Sequence, residues 1–565
     1  MRATLFKEVG YSLSKLIEDI DAGEIGLPDI QRPFVWDRAK VRDLFDSMYN
    51  GFPVGYLLFW SNAFAPGTRQ IGETLHQSAP RLLIVDGQQR LTSLYSVLKG
   101  VPVVDSNFKT SHIHISFRPS DKTFAVLDAA TERDSEFISN ISDLWVGELS
   151  RNRFVQSFIG KLRDNREVTE DEEDHLVESI DRLYDLQSYP FTALELSTAV
   201  DEEKVAEVFV RINSQGVILN QADFILTLMS VFWDEGRAQL ENFCRAARQP
   251  SSGEPSPYNH FIDPDPDQLL RVGVGFGFKR GALKTVYSLL RGKDLKTDNF
   301  SDELREQQFE VLRDAQAKVL DLTNWHEYLK ALIRAGYRGK RMVSSETNVI
   351  YTYVLFLIGK YDYGLDSYTL REVIARWFFM TAVTARYSSS PESQLDGDLA
   401  NLRGVETSDD FVEHLYQVIN ENLTNDFWET QLPGNLASSS ARSPYLFAYY
   451  AALNILNARV LFSRMRVSEL FDPAVTSPRQ ALERHHLFPK GYLTTLDIIS
   501  TRERNQIANY ALLEWPDNVE ISDQAPSVYF PDLAQRMSDQ EREQMLLWHA
   551  LPNGWEDMPY NKFLE

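Results

Sequence analysis

Residues 81–98, RLLIVDGQQRLTSLYSVL, restrict more than any other stretch what this chain can build. An apolar run at 81–85 ends in Asp86-Gly87, and behind that turn Leu91, Leu94, Tyr95 and Leu98 recur at helical spacing. A buried strand, a tight turn and a helix with one apolar face commit the first part of the chain to mixed α/β layers. Neighbouring segments agree. Residues 54–60 (VGYLLFW) read as a buried strand, 112–117 and 124–127 as a hairpin around PSDK, and 191–196 (FTALEL) as a strand before a long helix from about Asp201. From Val205 the spacing is helical, through Ala206, Phe209 and Val210 and again through Phe224, Leu228 and Phe232. Loops are predicted at 249–267 and 431–443, and no internal repeat is evident.

A chain of 565 residues exceeds one hydrophobic core. The predicted class is α+β: an α/β domain over 1–230, an all-α extension and connector over 231–435, and a C-terminal domain over 436–565. With 43% hydrophobic and 25% charged residues, folding is expected throughout. The N-terminal MRATLFKEVGYSLSKLIEDID lacks a signal-type apolar region, and the longest apolar run, 349–359, is far below the roughly 20 residues of a membrane span. The expectation is a cytoplasmic protein with no membrane partner. The single cysteine, Cys244, excludes an internal disulfide and any paired-cysteine metal or redox motif.

The net charge of −23 opposes a nucleic-acid partner. Charge is uneven, however: Arg442, Arg459, Arg464, Arg466, Arg479, Arg484, Lys490, Arg502 and Arg504 outnumber the acids among them, leaving room for a local basic face. The acid run at 171–174 reads as a solvated helix surface.

Two constellations carry chemistry. At the first, the N-terminus of the helix after Asp86-Gly87 suits phosphate, because its backbone N–H groups and dipole end are positive and Gly87 permits close approach. Arg90 would add mobile positive charge, and Asp86 would cap the helix or hold a magnesium ion through water. Gln88 lies on the side of the core leucines but one turn earlier, where an amide suits a site better than a core. A plain strand–turn–helix unit with surface glutamines explains the same residue types. The glycines of VGVGFGFKRG at 272–281 suggest close helix packing rather than a dinucleotide loop, and no GxxxxGK[ST] motif exists.

At the second, ALERHHLFPKGYL sets His485 beside His486 in a chain with ten histidines. In a strand, consecutive side chains face opposite ways, so one imidazole can serve a metal and the other a water. Asn509 then opens an apolar strand over 510–515, and Asn518 follows in PDNVEIS at a helix or turn start. The order is that of a ββα-metal finger.

Four ordered segments, IQRPFVWD at 30–37, LFDSMYNGFPVG at 44–55, VDGQQRLTSL at 85–94 and VFVRINSQGVILNQAD at 208–223, resemble the GmrSD-type family of modification-dependent restriction endonucleases. The resemblance implies a ParB-like N-terminal domain that binds and hydrolyses a nucleoside triphosphate through Asp86, Gly87, Gln88, Gln89 and Arg90, joined by Gln31 and Arg32. Arginine would stabilise phosphoryl charge and a glutamine would orient water. Asn213, with Gly216, would close over the pocket; a helix C-cap explains Asn213 equally well.

ERHHLFPK, NYALLEW and DNVEIS resemble the HNH nucleases that follow such sensor domains. Carried over by position, His485 is a metal ligand, His486 the general base, Asn509 the brace of the motif loop and Asn518 the second metal ligand. Arg484 and Lys490 would hold flanking DNA phosphates, and Glu483 could add an oxygen ligand, though a surface role suits it better. The cofactor would be a divalent metal, Mg2+ or Mn2+, the nucleotide GTP, UTP or ATP. The partner would be DNA, modified phage DNA in particular, with a homo-oligomer allowed. The implied whole is an NTP-gated DNA endonuclease or nickase of antiviral defence. Its rivals are a ParB-like DNA-binding protein without cleavage and a toxin-like RNase.

Overall fold

The computed structural model describes residues 5–28, 34, 36–61, 68–69, 81–104, 110–147, 149–197, 221–251, 253–294, 296–297, 299–437, 440, 442–473 and 484–565. The chain divides into two compact units, Met1–Arg237 and Ala238–Glu565.

The first unit is built on a mixed sheet. Its strands are β1 (Phe6–Ser12), β2 (Ile25–Pro28), β3 (Leu57–Ser61), β4 (Thr68–Arg69) and β5 (Leu82–Asp86). The short pairs β6 (Val103–Val104) with β7 (Thr110–Ser111) and β8 (Ile115–Arg118) with β9 (Thr123–Val126) stand apart, and β10 (Pro190–Leu196) returns to the sheet. The order is β1-β10-β3-β5-β2-β4. Strands β10 and β3 run parallel, β3 and β5 antiparallel, and β5 and β2 parallel.

Three helices line one face of that sheet. Ser12 accepts from Lys15 N to start α1 (Leu13–Asp21), whose Leu13, Leu16, Ile17 and Ile20 are buried at helical spacing. Asp37 does the same for α2 (Arg38–Tyr49), and α3 (Gln88–Lys99) follows β5. Their apolar faces share a core with Leu57, Phe59, Leu82, Ile84, Phe191 and Ala193. Leu58, Trp60, Leu83, Val85 and Leu196 form a smaller cluster on the alternate residues, as a period-2 pleat requires. The β8–β9 hairpin is tied to α2 by Phe117 and Phe124, 5.2 and 5.6 Å from the Tyr49 ring. Helix α4 (Asp143–Val146), α5 (Arg151–Arg163) and α6 (Glu170–Tyr184) complete the unit. The acid run occupies the first turn of α6, where Glu172 and Glu173 pair with Arg166 and Arg163.

The second unit is helical except at its C-terminal end. Helix Pro266–Phe278 carries the glycine stripe, and Cβ atoms added at Gly275 and Gly277 would lie 2.9 Å from Val354 Cγ2 and Ala315 Cβ. The glycines therefore let helices approach, as the sequence suggests. Trp377, Phe378 and Met380 are buried in helix Ser367–Val383. The expected loop at 431–443 begins instead as a helical turn, Leu432–Leu436, because Pro433 is pre-set for a first turn. Among the described residues no helix is long and apolar enough to cross a membrane. The C-terminal end has a core of its own, with Leu461, Leu487, Phe488, Leu493 and Trp555 at its centre.

Candidate functional sites

Strand β5 ends at Asp86 and α3 begins at Gln88. Between them Gly87 has φ +100°, and a Cβ there would fall 2.4 Å from Leu57 Cδ2. Two constraints thus select glycine, a left-handed backbone and contact with β3. The register of β3 against β5 also slips between Leu58 and Phe59, directly beside this turn. Such irregularities re-aim side chains at the end of a strand.

The N-cap of α3 is Gly87, not Asp86. Asp86 Oδ2 lies 3.3 Å from Arg90 Nη2 instead, so the expected capping role falls to Gly87. Arg90 is anchored rather than mobile. Its Nη1 donates to Val54 O at 2.6 Å and its Nη2 to Tyr56 O at 2.7 Å. Gly55 lies between those carbonyls with φ +88°, where a Cβ would stand 2.8 Å from Nη1. Burial lowers the guanidinium's pKa, and the Asp86 charge partly offsets this. The result is a fixed cation beside Gly87 that clips the 54–56 loop to the turn.

Gln88 and Gln89 are half-buried on the first turn of α3. Phe34 is buried and Trp36 packs against the same core, so these rings serve packing. Gln31, Arg32, Asn213 and Gly216 lie outside the described residues, as does Glu483.

At the other end of the chain, β11 (Arg484–His486) pairs antiparallel with β12 (Tyr510–Leu512), placing His485 opposite Ala511 and His486 opposite Tyr510. Helix Trp515–Ile521 follows at once and carries Asn518. The second strand is shorter than expected. Glu514 is the N-cap and Pro516 sits in the first turn, so Trp515 opens the helix instead of closing the strand.

Asn509 is fully buried, and its carboxamide is spent on backbone. Its Oδ1 accepts from Phe488 N at 2.8 Å, while its Nδ2 donates to Phe488 O at 3.2 Å and Arg504 O at 3.0 Å. One side chain thereby ties the segment just after β11 to the turn before β12. His485 is 8% exposed and His486 half-buried. The His486 Nε2 is 2.8 Å from Asn505 Oδ1, and its ring meets Tyr510 edge-on at 5.1 Å. Asn518 is half-buried, and Lys490, at the start of helix Lys490–Thr495, is exposed. Arg484 contributes its backbone to β11; its side chain is not among the described ones. Sequence reading missed Asn505, which stands in RERNQIAN with nothing in the spacing to distinguish it.

Among the described residues no three His, Cys, Asp or Glu side chains group to hold an ion. The imidazole of His485 and the carboxamide of Asn518 are ligand types a divalent cation accepts.

Residues 13–230 match the model of the GmrSD restriction endonuclease N-terminal domain. Over 556 residues the chain is 22% identical to the uncharacterized protein MJ0686 of Methanocaldococcus jannaschii, spanning 93% of this chain and 87% of that one.

Proposed function

We propose, from the match of residues 13–230 to the model of the GmrSD restriction endonuclease N-terminal domain, that the chain is a nucleotide-regulated DNA endonuclease of prokaryotic defence, directed at modified foreign DNA. On this reading the first unit is a ParB-like nucleotide sensor, and the C-terminal end of the second is an HNH nuclease finger.

The observation that carries the proposal is the Asn509 brace. A buried carboxamide spanning Phe488 and Arg504 fixes the loop between two short strands, the first bearing His485 and His486, and a helix bearing Asn518 follows. A structural loop does not require adjacent histidines at its start.

His486 takes a proton from water, the water oxygen forms a bond to phosphorus, and the P–O3′ bond breaks. His485 and Asn518 would hold the divalent ion, which when bound supplies charge stabilisation at the phosphate and leaving oxygen. Lys490 and Arg484 hold flanking phosphates. In the first unit, the N-terminus of α3 receives the nucleotide phosphates, with Arg90 as the fixed cation beside Gly87 and Gln88 or Gln89 directing water.

The test is incubation of purified protein with plasmid, modified phage DNA and RNA, in Mn2+ or Mg2+, with and without each nucleoside triphosphate. Nicks or cuts in DNA that depend on His486 are expected. Binding without strand breakage would favour a nucleotide-gated DNA-binding protein, and cleavage of RNA alone a toxin-like RNase.

A further inference from the structure

We propose that Asn505 is the positioning residue for His486, fixing the tautomer and ring orientation in which that imidazole acts; the inference rests on the nuclease reading of the C-terminal finger. His486 Nε2 and Asn505 Oδ1 lie 2.8 Å apart. An amide oxygen only accepts, so Nε2 carries a hydrogen, and in the neutral ring the lone pair is then on Nδ1.

What makes Asn505 suited to this task is how firmly it is placed. It is the C-cap of helix Thr501–Arg504, with its own N–H donating to Thr501 O at 3.1 Å. The preceding carbonyl, Arg504 O, accepts from the buried Asn509 Nδ2, and Glu503 O accepts from Tyr560 OH at 2.7 Å. Arg504 itself donates to Ile498 O and to Thr494 Oγ1. The His486 ring is confined on another side by Tyr510, its cross-strand partner. Asn509 therefore braces the backbone, and Asn505 passes that order on to the imidazole. Groups that orient a reacting or ligating histidine in this way typically contribute 10–100-fold.

The experiment compares the full-length wild type with Asn505→Ala, Asn505→Asp and His486→Ala. Single-turnover nicking in Mn2+ should fall roughly 10–100-fold in Asn505→Ala with DNA affinity unchanged, and Asn505→Asp, which retains the accepting oxygen, should recover most of the rate. In parallel, proton–nitrogen correlation spectra of histidine-labelled protein, with the His486 signals assigned from its absence in His486→Ala, should show the Nε2–H form in the wild type and a tautomer mixture in Asn505→Ala. An unimpaired Asn505→Ala, an unchanged tautomer, or a loss that Asp fails to restore and that tracks DNA affinity would overturn the inference. A wild type that cleaves no nucleic acid sinks the nuclease reading and this inference together; an active wild type beside an active Asn505→Ala sinks this inference alone.

Discussion

Single residues decide more here than their bulk suggests. Gly87 combines a positive φ with a Cβ position 2.4 Å from Leu57 Cδ2, so Gly87→Ala imposes both backbone strain and overpacking. A loss of about 1–3 kcal/mol is expected, read as a lower denaturant midpoint for the transition that includes residues 1–237; an unchanged midpoint would show the turn is not held as described. His549 gives a case in which pH is the lever. It is 6% exposed, bonded through Nε2 to Arg459 O at 2.9 Å and through Nδ1 to Tyr449 OH at 3.2 Å. Burial pushes its imidazole down from 6.5 to about 4. The unfolded chain accepts a proton near 6.5 and the folded one does not until about 4. Its stabilising contribution is therefore complete above pH 6.5 and drains away as pH falls towards 4, by up to about 3 kcal/mol. Comparing denaturant unfolding at pH 7 and pH 5, wild type should lose more stability than His549→Gln; equal losses would contradict the burial argument.

At the scale of elements, the β11–β12 pair and the segment joining its strands depend on a carboxamide that belongs to no strand or helix face. Asn509→Ala would remove the buried partner of Phe488 N–H and Phe488 O and one of the two partners of Arg504 O. Unmet buried backbone groups cost about 1–3 kcal/mol each, so this segment should loosen, with amide exchange rising across residues 484–512 while the helix at 346–361 is unaffected. Faster exchange in both, or in neither, would rule out a local brace. The strand–turn–helix at 81–98 was legible in sequence because its apolar period changes at the turn. Other parts were not. Strand β1, FKEVGYS, is an edge strand whose residues are exposed or half-buried, and its partner Glu195 lies 184 positions beyond Tyr11, so no local pattern announces it. The 54–60 strand starts later than its apolar run implies, because Val54 and Tyr56 give their carbonyls to Arg90 and stay out of the sheet. Arg90 itself misled for the same reason: a motif shows that a cation is present, not that two carbonyls hold it still.

For the molecule as a whole, a charge of −23 is compatible with the proposed polyanionic substrate where binding is local to a basic face. The two proposed sites fall in different compact units, one beside Gly87 and one around β11 and β12. That separation predicts variants that break one activity and keep the other. His486→Ala should abolish strand cleavage, a loss of about 100-fold or more for removal of a general base, while nucleotide hydrolysis continues at the wild-type rate. Gln88→Ala and Gln89→Ala should lower nucleotide turnover with the β11–β12 pair intact, and DNA cleavage should then lose its response to added nucleotide. Measuring phosphate release and plasmid nicking on the same preparations checks both directions. If His486→Ala silenced nucleotide turnover, or if Gln88→Ala and Gln89→Ala left cutting as nucleotide-responsive as before, the two units would not be working as sensor and effector.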